Sequence, residues 1–326
     1  MVELTSLNAR VYSRLGQRGA IFGMTLLEIA ENRPDIMVLS ADLITLSGLE
    51  RFVTNYPDKF LNVGIAEQNM IGIAAGLANE GYKTIATTYA TFITLRSCEQ
   101  VRHFLGYMKS NVIIVGSGAG MVMTFSGNTH YSIEDIAVMR AIPNITILSP
   151  SDAGLAAKSF EAAIELNRPV YIRLTGALNC PVIYKNDFKY EIGKSIVLRE
   201  GSDITVFATG MMVALSLKAA ELLETKNLSV KVVDMHTIKP FDTNAVEESS
   251  SSKLFVSVEE HNIIGGLGGA ISEFLASKGN TAPLLRLGIN DTFCKVGDYD
   301  YLLMQNRLTP ELIAEDILEK YQSLRK

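Results

Sequence analysis

The chain has 326 residues, room for two domains of about 150 residues each. Apolar residues make up 48% of it, enough to bury a substantial core. With 30 basic against 35 acidic side chains, a net charge of −5 and no basic stripe, it is not expected to bind a nucleic acid.

In chain order, Ala20 to Asn32 is amphipathic, with Ile21, Met24, Leu27 and Ile29 on one side, and predicts a helix. The apolar run Ile36–Leu39 follows, then a turn at Ser40–Ala41–Asp42. Ala66 to Glu80 is rich in small residues and predicts a helix. Thr84–Phe92 and Val112–Val115 predict strands. Ser132–Ile142 predicts a helix, with Glu134 and Asp135 in the first turn, where the helix dipole favours acids. Ile145–Leu148 predicts a strand, Ser151 a cap for an Ala-rich helix reaching Leu166, and Val170–Leu174 another strand.

Asn179 to Gly201 is polar, carries Pro and Gly, and has no helical period. The alternation then restarts, with strands at Ile204–Ala208, Val230–Val233 and Leu254–Val258. A helix spans Val213–Glu224, a Gly-rich turn spans Gly265–Gly269, and a last helix is capped by Thr309. Strands alternating with helices predict parallel sheets covered on both faces. The expected fold class is therefore α/β, two doubly wound domains over 1–180 and 201–326, joined by a linker over 181–200. Lys320, Arg325 and Lys326 read as a solvated, slightly basic helix end.

Cys98, Cys180 and Cys294 stand at unrelated spacings, forming neither a CxxC pair nor a metal-ligating set. They read as reduced thiols, and the expected location is the cytoplasm. Arg10, Arg14 and Arg18 precede no long apolar run, and no stretch of about 18 apolar residues occurs, so neither a signal peptide nor a membrane span is expected.

Several segments occur in an order that resembles the transketolase superfamily of thiamine diphosphate enzymes, from about Gln17 to the last helix. NVGIAEQNM at Asn62–Met70 places Glu67 at the start of a helix. Physics alone reads it as an acid stabilised by a helix amino end. The segment is similar to the pyrimidine-binding domain of transketolases, of 1-deoxyxylulose-5-phosphate synthase and of the beta chains of 2-oxoacid dehydrogenases. The resemblance implies that Glu67 hydrogen-bonds N1′ of the aminopyrimidine, favouring the imino tautomer that removes the C2 proton; a partly desolvated glutamate can share that proton. SADL at Ser40–Leu43 implies that Asp42 and Leu43 touch the cofactor's central part. TYATF at Thr88–Phe92 implies that Tyr89 and Phe92 stack around the aminopyrimidine, where an aromatic face suits a flat heterocycle; without its neighbours the motif reads as two aromatics on a half-buried strand. Leu95 stands near a third position that is aromatic in many transketolases.

GNTHYSIED at Gly127–Asp135 resembles the family's GPTH segment, which implies a substrate contact or proton relay for His130. On its own, a histidine beside Ser, Thr and Asn reads as a surface loop residue. GSDITVFATG and VEEHNIIGGLGGA resemble the family's C-terminal domain, used mainly for subunit packing. The glycines at 265, 266, 268 and 269 fit an anion nest or a tight turn, and His236 and His261 read as structural or interface residues.

The chain lacks the GDG motif, followed at about thirty residues by an Asn, that holds Mg²⁺ and the diphosphate in complete transketolases. Gly297–Asp298–Tyr299 follows no suitable strand and does not replace it. The resemblance therefore implies no metal site here and a partner subunit carrying the diphosphate-binding domain, assembled as α2β2. Family positions that grip a sugar phosphate carry Gly118 and Thr175 instead of His and Arg, Arg18 is the remaining cation, and Ser126 replaces an Asp that reads a hydroxyl. The implied substrate is a sugar without an ordinary terminal phosphate, such as a nucleotide-linked, sulfonated or deoxy sugar, or an acyl donor. Two other readings follow from the same residues: the beta chain of a 2-oxoacid dehydrogenase, which would release CO2 from a 2-oxoacid, and a non-catalytic regulatory or scaffolding subunit.

Overall fold

The computed structural model describes residues 2–279 and 281–324; Arg325 and Lys326 of the expected basic tail lie outside them. The strands are β1 (Ile36–Ser40), β2 (Phe60–Asn62), β3 (Lys83–Tyr89), β4 (Val112–Ser117), β5 (Thr146–Leu148), β6 (Val170–Leu174), β7 (Ile196–Arg199), β8 (Ile204–Ala208), β9 (Val230–Asp234), β10 (Thr237–Lys239), β11 (Leu254–Asn262) and β12 (Leu284–Ile289). They form a seven-stranded sheet in the order β10-β5-β6-β4-β3-β1-β2 and a five-stranded sheet in the order β12-β11-β8-β9-β7. All neighbours are parallel except β10 with β5 and β7 with β9. β3, β4 and β6 are buried at every residue, as strands covered on both faces are; β4 opens on the continuous apolar run Val112–Val115, while β3 and β6 carry buried polar residues, Thr84, Thr87, Thr88 and Arg173 among them.

Helices cover both faces of the first sheet. Phe22, Leu26, Phe52 and Phe160 pack on one side with Ile85, Ile113 and Ile172. On the other side Met70, Ile71, Ile136 and Met139 share one cluster with Phe207, Met235, Phe255 and Ile271 of the second sheet's domain. The two domains thus share a core, and β10, from beyond the linker, adds an edge strand to the first sheet, with Thr237 opposite Leu148. Among the described residues no helix is long and apolar enough to cross a membrane.

Several local expectations are corrected. The amphipathic segment at Ala20 continues a helix that begins at Ser6, capped by Thr5, and passes through a π-helical turn at Ile21–Thr25. β3 ends at Tyr89, and Phe92 opens a π-helical turn, Phe92–Arg96, rather than closing a strand. Asp152, not Ser151, caps the Ala-rich helix by accepting from the Leu155 amide at 2.7 Å. The Ser151 hydroxyl instead donates to Asp234 across the domain seam, at 2.5 Å. The helix expected from Ser132 starts at Asp135, because Ser132 pairs with Gly120 in a β-bridge. The segment expected as a linker ends in β7, which pairs with β9, and Asp152 accepts from the amides of Ile183 and Tyr184 within it.

Candidate active site

The loops after β1, β2, β3 and β4 meet at the carboxyl ends of the first sheet's strands. Ser40 of β1 lies opposite Asn62 of β2 on one side and Thr87 of β3 on the other, and Tyr89 lies opposite Ser117 of β4. The chain runs from β1 outward to β2 and then back across β1 to β3, so the sheet order reverses here. Open α/β sheets bind ligands at such reversals.

After β1, Asp42 takes a left-handed backbone conformation, φ 58°. Asn62 clamps it from both sides: its Oδ1 accepts from the Asp42 amide and its Nδ2 donates to Asp42 Oδ1, each at 3.1 Å. Asp42 is exposed and Leu43 half-buried, its amide donating to Ser40 Oγ at 3.2 Å.

After β2, Glu67 is the first residue of the helix Glu67–Asn79, whose N-cap Ala66 offers no side-chain acceptor. The carboxylate thus sits where helix amides carry positive charge. The residue is only 3% exposed. Its Oε1 accepts from Arg96 Nη1 at 2.7 Å. The Arg96 guanidinium also lies 4.0 Å from the centre of the Phe92 ring. Phe92 and Arg96 are the two ends of the π-helical turn after β3. Sequence reasoning missed Arg96, although a cation four residues beyond an aromatic in a helical turn is a readable pairing signal.

The rings of Tyr89, Phe92 and His130 form an edge-to-face trio. Their centres are 5.8 Å (Tyr89–Phe92), 5.7 Å (Tyr89–His130) and 5.3 Å (Phe92–His130) apart. Tyr89 is buried, while Phe92 and His130 are half-buried. The His130 Nδ1 is 3.0 Å from the Thr129 hydroxyl. A histidine from beyond β4 thus meets two rings from the end of β3 in one cradle, with Glu67 joined to it through Arg96. Arg18, half-buried, donates to the Leu46 carbonyl and stands by Tyr89: burial lowers its pKa, and Tyr89 opposes that shift. Ser126 is exposed in the 3₁₀ segment that leads to His130, and Leu95 is also exposed. Gly118, after β4, has φ 70°, and a Cβ there would lie 2.7 Å from Met123 Sδ and 3.6 Å from Tyr89. Thr175 is buried and accepts from the Met211 amide of the second domain at 3.2 Å.

A second concentration of ionisable groups fills the seam between the domains. Arg173 Nε and Tyr171 OH both donate to Asp135 Oδ2 at 2.7 Å. Arg173 Nη2 also donates to the Glu260 carbonyl at 2.8 Å. The Glu260 carboxylate accepts from the Met121 amide at 2.6 Å and from Tyr299 OH at 2.7 Å. Burial pushes the pKa of Glu259 and of Glu260 up to about 7, and that of His261 down to about 4. His236, also buried, is likewise pushed down to about 4 by desolvation. The glycine-rich turn does cradle a carboxyl group, but its own: Glu259 accepts from the amides of Leu267 at 2.7 Å and Gly268 at 2.8 Å. A Cβ on Gly266 would lie 2.0 Å from Glu259 Oε2, which is why the turn is glycine there. Among the described residues no three or more His, Cys, Asp or Glu side chains are grouped so as to hold a metal ion.

Two mostly parallel α/β domains thus share a core, with a buried carboxylate beside an aromatic cradle at the strand ends of the first. Residues 17–180 match the transketolase pyrimidine binding domain, and residues 193–313 match the transketolase C-terminal domain. The chain belongs to the transketolase family, as a beta-type subunit of the split kind. It is 39% identical over 299 residues to the 6-deoxy-6-sulfo-D-fructose transketolase subunit SqwH of Clostridium sp. (strain MSTE9), covering 90% of this chain and 92% of that one. It is 35% identical over 300 residues to an apulose-4-phosphate transketolase subunit of Phocaeicola vulgatus, covering 91% and 95%. Among solved structures, one described as a split gene transketolase, inactive beta4 tetramer, superposes with a TM-score of 0.85 at 36% identity, covering 95% of this chain and 99% of that one.

Proposed function

We infer that this chain is the beta subunit of a two-chain, thiamine diphosphate-dependent transketolase that transfers a two-carbon ketol unit between sugars or sugar-derived molecules. The observation that carries this reading is Glu67: a carboxylate 3% exposed at a helix amino end, next to a cradle of three aromatic rings. The residues present fit an aminopyrimidine. A flat, hydrogen-bond-donating cation, the Arg96 guanidinium, already satisfies the same two demands by lying over Phe92 and donating to Glu67.

When bound, thiamine diphosphate supplies the carbanion that breaks and makes carbon–carbon bonds beside a carbonyl. Glu67 holds or releases a proton at the pyrimidine N1′. Tyr89 and Phe92 seat the heterocycle, and Asp42 and Leu43 border its middle. His130, whose ring edge meets both aromatics, contacts the substrate or relays its proton. Arg18 and Ser126 line the substrate side. The diphosphate and Mg²⁺ are assigned to a partner subunit carrying the GDG segment, in an α2β2 assembly. The related tetramer named as inactive, built of beta chains, supports that division.

The substrate reading rests on two positions. At Gly118 the left-handed backbone, φ 70°, disfavours any side chain, and a Cβ there would meet Met123 Sδ at 2.7 Å. At Thr175 the second domain seals the side chain under Met211. Arg18 then remains as the cation of these three positions, and one cation suits a sulfonate monoanion better than a phosphate dianion. The Clostridium relative, named for 6-deoxy-6-sulfo-D-fructose, supports a sugar of that kind.

The test is reconstitution with a chain bearing the GDG segment, followed by a mass-spectrometric screen of donors and acceptors. Ketol transfer involving a sulfonated, deoxy or other modified sugar is the expected result. Release of CO2 from a 2-oxoacid would overturn the transferase reading. Strong saturable turnover of xylulose 5-phosphate with ribose 5-phosphate would overturn the substrate reading.

A further inference from the structure

We propose that Arg96 is a positioning residue that holds the place of the cofactor's aminopyrimidine, keeping Glu67 aimed into the aromatic cradle and giving up that contact when the cofactor binds. The proposal rests on the functional reading above and deepens it.

Three observations meet at this side chain. Arg96 donates to the same carboxylate, Glu67, that is assigned to the pyrimidine, at 2.7 Å. Its guanidinium lies 4.0 Å from the centre of Phe92, one of the two rings assigned to stack on that pyrimidine. A planar donor on an aromatic face with a carboxylate at its edge is the arrangement a bound aminopyrimidine requires, so the two cannot occupy it together. The third observation is asymmetry of burial: the Glu67 side chain is 4% exposed and the Arg96 side chain 45% exposed. The acid is fixed at the first turn of a 13-residue helix. The arginine, on a long flexible stem with nearly half its surface in water, can leave without uncovering buried backbone.

Its local backbone supports movement as well. Arg96 ends a π-helical turn, where widened hydrogen bonding replaces the tighter α pattern, a feature frequent at functional sites. Its own carbonyl accepts from Gln68 Nε2 at 2.9 Å, which ties the turn to the second residue of the Glu67 helix. The backbone of Arg96 is therefore anchored while its side chain is free to swing. Among the described residues the Glu67 carboxylate has no other hydrogen-bond partner, so without Arg96 a buried acid would stand unpaired until the cofactor arrived. Arg96 removes that penalty from the cofactor-free form of the chain and returns it as a competitor against binding.

The test uses the full chain reconstituted with its diphosphate-binding partner, titrated calorimetrically with thiamine diphosphate in the presence of Mg²⁺ and melted with and without it. Arg96→Ala is expected to bind thiamine diphosphate about tenfold more tightly, the scale of one charge-assisted hydrogen bond to a half-exposed partner. The cofactor-free Arg96→Ala complex is expected to melt below wild type and the cofactor-bound one level with it, so that the cofactor-induced rise in Tm is larger in the variant. Arg96→Lys keeps a charge beside Glu67 but cannot lie flat on Phe92. It is expected to bind more tightly than wild type by a smaller factor, and it serves alone should the alanine variant fail to fold. Unchanged or weaker binding in the variants, with wild type binding normally, overturns the proposal and leaves the functional reading standing. No thiamine diphosphate binding by the wild-type complex overturns both.

Discussion

The strand-end crevice and the domain seam use the same vocabulary, carboxylates paired with arginines beside aromatic side chains, in opposite ways. At the seam, Arg173 and Asp135 are 1% and 0% exposed, and their further partners are the carbonyls of Ser132 and of Glu260 on β11 and the hydroxyl of Tyr171 on β6. In the crevice, the buried Glu67 is paired with an arginine nearly half in water. A pair sealed on both sides is costly to break and contributes to architecture. A pair open on one side can be exchanged for a ligand.

The largest expected effect lies at the seam. Arg173→Ala leaves Asp135 buried without its cation and should destabilise the fold by about 3–5 kcal/mol in urea denaturation. Arg96→Ala, measured the same way on the chain without cofactor, should cost only about 1.4 kcal/mol, the counterpart of the tenfold gain in cofactor affinity expected of the same variant, because the arginine is nearly half in water. Similar costs for the two variants would erase the distinction drawn between the regions.

Next in size is the crevice itself. Glu67→Gln, in the reconstituted complex, should lower turnover by about two powers of ten or more while leaving Tm near the wild-type value, the scale of losing general acid–base help. An unchanged rate would remove Glu67 from catalysis and favour a non-catalytic subunit.

The seam should also respond to pH, in a direction set by burial. Desolvation holds Glu260 protonated up to about pH 7 in the folded chain, against an ordinary glutamate value of 4.5. Across that window the unfolded chain binds fewer protons than the folded one, so this group's contribution to stability falls as pH rises from about 4.5 to about 7 and is level above it. Glu260→Gln removes the titration. Its stability relative to wild type should therefore rise by on the order of 2 kcal/mol between pH 4.5 and 7, as read from denaturation at a series of pH values. A difference that stays flat with pH would mean that Glu260 is ionised throughout.

How far the sequence could be read follows the same division. β4 was legible because a parallel strand covered on both faces tends to a continuous apolar run, here Val112–Val115. Asp42, Glu67, Tyr89, Phe92 and His130 were singled out because each sits in a short family-like motif near a strand end, whereas Arg96, outside those motifs, was missed. What escaped depends on pairings between distant segments. No local pattern says that Thr237–Lys239 will extend the other domain's sheet, that Met211 will cover Thr175, or that Glu259 will fill the glycine turn. Ser151 and Asp152 are adjacent and both able to cap a helix; the choice was made by Asp234, far along the chain, which claims the serine hydroxyl.

The smallest expected effect on stability is at Asp42, and it separates fold from function most sharply. A residue with a side chain at φ 58° is strained relative to glycine, which takes that conformation freely. Its side chain makes one exposed hydrogen bond, from Asn62 Nδ2 at 3.1 Å, and the second Asn62 contact uses the Asp42 amide, which glycine retains. Asp42→Gly thus trades a weak exposed contact for relief of backbone strain, and its stability should stay within about 0.5 kcal/mol of wild type. If the carboxylate borders the cofactor, the reconstituted variant should bind thiamine diphosphate severalfold more weakly despite that neutrality. Full affinity would make Asp42 a loop residue held by Asn62, and would narrow the cofactor contacts of this chain to Leu43 and to the carboxylate and rings beyond β2 and β3.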